Sequence, residues 1–159
     1  MTPLLVHLPH DATAIPPDAQ ADFLLSAEEL GAECLRLTDR HTAALYADGL
    51  APDDLIRAAV SRLVVDVERF ADDAEEPCAQ VGMGATYVRT ADGRPFRTLT
   101  PERRAELMAR YYWPHHRALD AAAADRTVAT LMKGGSDPVI SKKPEGAWTS
   151  AVTDKAKGM

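Results

Sequence analysis

The chain reads as an α/β domain, helices layered on a sheet, and three observations point to that class. A short apolar run at 4–8 is closed by Pro9, as a buried strand would be. Two long stretches, 27–47 and 101–124, carry apolar residues at helical spacing, and further segments at 56–67 and 86–97 read as extended between them, although 56–60 could by pattern be a short helix. Alternation of this kind predicts layers of helix on sheet. With 159 residues and 46% apolar content the chain can enclose one real core.

Taken in order, residues 4–8 form the first strand, and Pro9, Pro16 and Pro17 make the next stretch a loop. His10 and Asp11 fall just past the strand's end, where strands deliver catalytic groups, and a neutral imidazole there is a candidate metal ligand. His7, inside the strand, is expected to pack. Ser26-Ala27-Glu28-Glu29 is a capping box opening the first helix. Leu30, Cys34, Leu37, His41 and Leu45 then mark one face, from which Asp39 points away. Gly49 to Asp54, with Pro52, stops the helix and turns the chain.

The central stretch, Ser61-Arg62-Leu63-Val64-Val65-Asp66-Val67-Glu68-Arg69-Phe70, is β-branched enough for a buried strand yet punctuated by charge. Arg62 and Asp66 would share a face in an extended chain, whereas Arg69 needs a bend to join them. Buried charge is costly unless paired, so these groups should meet one another, a ligand or a metal. A structural Arg–Asp pair and a ligand site both satisfy that demand. The acidic run 71–77 reads as a solvated loop. Val81-Gly82-Met83-Gly84-Ala85 is Gly-rich without a phosphate-loop signature, so a plain turn is expected. Tyr87-Val88-Arg89, Asp92-Gly93 and Pro95-Phe96-Arg97 spell a hairpin with a positive-φ turn.

Thr100-Pro101 opens the last long helix, with Leu107, Met108, Tyr111 and Leu119 as its stripe and Pro114 expected to kink or split it. His115 and His116 lie about 100° apart on such a helix, which suits one packed and one exposed imidazole better than joint ligation. Beyond Arg126 periodicity fades, so residues 1–126 form the domain and 127–159 a flexible tail.

A formal net charge of −6 argues against nucleic acid or an anionic membrane as partner. Neither an 18-residue apolar run nor a signal-peptide core is evident, which makes the cytoplasm the expected compartment. Cys34 and Cys78 are expected as free thiols.

Several blocks carry a resemblance: Val6-His7-Leu8-Pro9-His10, Leu37-Thr38-Asp39, the central stretch 61–70, Gly82-Met83-Gly84-Ala85-Thr86-Tyr87, Asp92-Gly93-Arg94-Pro95 and Tyr111-Tyr112-Trp113-Pro114-His115-His116. In this order, over residues 4–125, they resemble the N-formylglutamate amidohydrolase family. The resemblance implies a zinc carboxypeptidase-like fold, here incomplete, and hydrolysis of N-formyl-L-glutamate to L-glutamate and formate in histidine breakdown. It implies Zn2+ at His10 and Asp39, with a lowered pKa of bound water. It also implies Arg62 and Asp66 as catalytic residues, and Arg62 and Arg69 as forks for the substrate's carboxylates.

The chain departs from the family pattern at Asp11, at Ala43 and at Met132-Lys133-Gly134-Gly135-Ser136, where an Asp-Gly-His-Ser strand end with a further zinc ligand is expected. That departure predicts a truncated or frameshifted member of impaired activity. An inactive fragment and a binding module for small acidic ligands are the alternatives, and oligomerisation stays open.

Overall fold

The computed structural model describes residues 4–124, 127–130 and 139–141. Strand β1 (Leu4–Leu8) forms as its apolar run predicts and is buried from Leu5 onward. Parallel partners flank it, β2 (Leu55–Arg57) on one side and β3 (Thr127–Thr130) on the other. Strand β4 (Val139–Ser141) adds antiparallel to β3, so the sheet runs β2-β1-β3-β4 and is mixed. β3 and β4 fall in the stretch read from sequence as a flexible tail. Their runs are too short to declare themselves, and pairing with a neighbour decides them. The rest of that stretch, and the Met132–Ser136 block, lies outside the described residues.

The capping box is present: Ser26 Oγ accepts from Glu29 N–H while Glu29 accepts from Ser26 N–H. After the single turn α1 (Pro17–Gln20), helix α2 (Ala27–Leu37) is shorter than predicted. It breaks at Thr38, and α3 (Thr42–Tyr46) restarts only after His41 adopts a left-handed φ of 71°. Asp39 N–H bonds to His10 O at 2.9 Å, so the break ties this corner to the end of β1. The helix predicted at 101–124 runs as α4 (Pro101–Leu107), a π-helical turn (Met108–Tyr112) and α5 (Trp113–Ala123). Pro114 was expected to kink or split the helix; it supplies no N–H to the ladder, and the widened turn before it accommodates that loss between α4 and α5.

Two predicted strands are corrected. Of 56–67 only the first residues belong to β2, and 61–70 is a chain of turns, with Val64 N–H bonded to Ser61 O and Asp66 N–H to Ala85 O, both at 2.8 Å. The valines are buried by packing instead: Val60, Val64, Val65 and Val67 join Leu107, Met108 and Tyr112 in one cluster. The 86–97 hairpin is reduced to a single bridge, Arg89 with Pro95, although Gly93 supplies the expected positive φ of 85°. A second cluster, Leu30, Cys34, Leu63, Tyr87 and Phe96, lies beneath α2. Both cysteines are free thiols. Among the described residues no helix is long and apolar enough to cross a membrane.

Candidate active site

Because 61–70 is not laddered, its side chains are placed by one another, and Asp66 is their hub. It is fully buried, and four groups address its two oxygens. Oδ1 accepts from His10 Nε2–H at 2.8 Å and from Glu68 N–H at 3.0 Å. Oδ2 accepts from Tyr87 Oη–H at 2.6 Å and from Arg62 Nη2–H at 2.7 Å. Arg62 Nε–H also reaches Asp66 Oδ2, at 3.1 Å, and the Tyr87 hydroxyl, at 3.0 Å. Burial alone would push the Asp66 carboxyl up, but His10, Arg62 and Tyr87 outweigh it and hold it well below the usual carboxylate range.

His10, just past β1, is 3% exposed and stands among carboxylates. Asp39 Oδ2 lies 3.6 Å from Nδ1, while Glu68 Oε2 lies 3.5 Å from Nε2 on the same side as Asp66. Burial opposes a charge on the ring, but Asp66, with Asp39, raises its pKa to about 9. The surrounding carboxylates thus favour the imidazolium form of His10. Burial, against the opposing pull of His10, raises the Glu68 carboxyl.

Arg69 approaches the hub differently. Its Nε stands 3.5 Å from Asp66 Oδ2 and its Nη1 3.5 Å from Glu76 Oε1. Nε is buried without a hydrogen-bond partner among the described residues, although the side chain is 26% exposed. Arg62 is thus held by hydrogen bonds to internal partners, whereas Arg69 is held by 3.5 Å ion pairs and is the more exposed of the two, 26% against 13%.

The structure brings His10, Asp39, Arg62, Asp66 and Arg69 together, as the sequence suggested. Reasoning from sequence missed Tyr87, Glu68 and Glu76. Glu76 is 5% exposed, not solvated with its acidic run, because its carboxylate accepts from Phe70 N–H at 3.0 Å and Cys78 N–H at 2.9 Å. The Glu76-Pro77 junction was the available signal, since Pro cannot donate and leaves a turn to be closed by a side chain. His116 was also misjudged: it is half-buried and bonded to Val67 O at 2.9 Å. His7 and His115 are both buried, with their Nε2 atoms 2.9 Å apart, one donating to the other.

The family model for N-formylglutamate amidohydrolase matches residues 2–137. This chain belongs to the N-formylglutamate amidohydrolase family. Its relatives include the N-formylglutamate deformylase of Pseudomonas aeruginosa PAO1, 35% identical over 124 residues, which are 74% of this chain and 44% of that protein. The crystal structure of N-formylglutamate amidohydrolase from Ralstonia eutropha JMP134 matches with a TM-score of 0.65 and 22% identity. The match covers 82% of this chain and 53% of that one, and it extends the family's fold to the mixed sheet and helices described above. The chain spans about half the length of the relatives it matches.

Proposed function

We propose that this chain carries part of an amidohydrolase site acting on N-formyl-L-glutamate, and that its described residues supply recognition of the substrate's carboxylate. The observation that supports this most is Arg69. A guanidinium that is 26% exposed and held only by 3.5 Å ion pairs, beside an Asp66 whose oxygens are already taken, is arranged to turn its free edge to an incoming carboxylate in a fork. His10, charged and held rigidly by Asp66 and Asp39, adds a second fixed positive group close by. Arg62 keeps Asp66 ionised and oriented, a positioning role in place of direct contact with substrate. On this reading the sheet is part of a zinc carboxypeptidase-like fold, the substrate's source is histidine breakdown, and the compartment is the cytoplasm.

The described donors do not fit a catalytic zinc with three protein ligands. An imidazole nitrogen offers one lone pair, and the carboxylates here are split between the two sides of the ring. An ion at Nε2 would face Glu68 and an Asp66 whose oxygens are already taken, while Asp39 would stay behind at Nδ1, as a group orienting the ring. Among the described residues no three His, Cys, Asp or Glu side chains are placed to hold an ion. With these donors alone, turnover is expected to be impaired.

Calorimetric zinc titration combined with a formate-release assay on N-formyl-L-glutamate tests this reading. Weak substrate binding that requires Arg69, with little formate and no tight zinc, is the expected result. Absence of substrate binding, or tight stoichiometric zinc with rapid turnover, would overturn it.

A further inference from the structure

Arg97 is only 2% exposed, and it has no carboxylate within ion-pair distance among the described residues. Its guanidinium stands over the Phe23 and Phe96 rings, 5.2 and 5.8 Å from their centroids. Nη1 is buried with no hydrogen-bond partner among the described residues. Burial outweighs the distant pull of Asp22 and lowers its pKa to about 9. Burying a cation without a counter-ion is costly, so this group is not explained by stabilisation.

The other two nitrogens suggest what it does instead. Nε–H donates to Tyr87 O, and Nη2–H donates to Val64 O at 3.1 Å. Tyr87 and Val64 lie on the two segments whose side chains meet at the hub, Tyr87 itself and, two residues beyond Val64, Asp66. Neither segment belongs to the sheet, so no ladder sets their register; one backbone bond, Asp66 N–H to Ala85 O, joins them nearby. A planar guanidinium with both donors engaged fixes two carbonyls relative to each other, which a flexible ammonium cannot do.

We infer that Arg97 is a positioning residue: it clamps the Val64–Asp66 segment to the Tyr87 segment and so sets the geometry in which Asp66 meets His10. As a role within an amidohydrolase site this rests on the proposed function, but its test reads the hub directly and needs no turnover. The readout is the His10 Nε2–H resonance in proton–nitrogen NMR of the full chain labelled with 15N-histidine.

In Arg97→Met the resonance moves upfield and exchanges faster with water, while a cooperative melt shows the chain folded. Arg97→Lys, which keeps one donor, falls between the variant and the parent. Leu119→Ala, which removes core volume in the separate cluster of Leu5, Leu119 and Ala123, lowers the melting temperature with the resonance unmoved. An unchanged resonance in folded Arg97→Met overturns the inference, as does an equal displacement in Leu119→Ala. Should Arg97→Met fail to fold, Arg97→Lys decides, and an unmoved resonance there is fatal to the clamp. Absence of N-formyl-L-glutamate binding by the parent chain would sink the proposed function and leave this result standing.

Discussion

Two arginines at one carboxylate have separate consequences when removed. Arg62 donates twice to buried Asp66 and once to the Tyr87 hydroxyl, so its loss strands a buried negative charge and is felt as instability. Arg69 holds only 3.5 Å ion pairs, so its loss is felt at the ligand. Arg69→Ala should weaken binding of N-formyl-L-glutamate by about tenfold to a hundredfold, the worth of a charge-assisted hydrogen bond, with the melting temperature nearly kept. Calorimetric titration of both variants checks this, and a larger binding loss in a folded Arg62→Ala would reverse the assignment. Asp66→Asn leaves His10 and Arg62 without their common counter-ion and should cost about 3–5 kcal/mol in urea unfolding.

At the level of elements, the turn 77–85 is specified by one backbone position. Gly82 has a φ of +79°, and a Cβ there would lie 2.8 Å from Arg89 Cγ. Its carbonyl also accepts from Val88 and Arg89 N–H at 2.9 and 3.2 Å, which fixes the approach to Tyr87. Gly82→Ala should therefore destabilise by about 1–2 kcal/mol for the left-handed conformation alone, and more if Arg89 cannot yield. Thr100 caps α4 by accepting from Arg103 N–H at 3.2 Å, so Thr100→Ala should cost about 1 kcal/mol. Thermal melts of the two single variants measure both, and a Gly82→Ala chain as stable as the parent would contradict the turn's role.

For the whole molecule, the histidines set opposite limits on pH. The ordinary value is 6.5, and burial, with the mutual repulsion of neighbouring imidazoles, lowers His7 to about 3 and His115 to about 4. Folded pKa values below the unfolded ones mean stability that is present above pH 6.5 and is lost as pH falls toward 4. His10 has the reverse sign. Raised to about 9 by Asp66 against its burial, it contributes fully below 6.5 and loses that contribution as pH rises through 9. Stability should pass through a maximum near neutrality, and urea midpoints across that range test it. His7→Gln should flatten the acid limb, and a limb left unchanged by it would exclude the imidazole pair as its cause.

Legibility from sequence followed the range of the interactions. The capping box, the Thr100-Pro101 helix start, the Asp92-Gly93 turn and the first strand rest on neighbours within a few residues, so composition and spacing alone determined them. The charged residues of the central stretch were legible as a group that had to pair, because desolvation allows them no other fate. What their backbone would do was not. The valines of 61–70 suit a strand equally well, but Asp66 is claimed by His10, fifty-six positions away, and by Tyr87, and satisfying both bends the segment out of the sheet. The same holds for the split of the 27–47 helix, where Asp39 N–H bonds to His10 O, and for β3 and β4, which exist only as partners of β1 and of each other. Local chemistry named the participants, and contacts between distant segments, whose energies no local window contains, decided where each one stands.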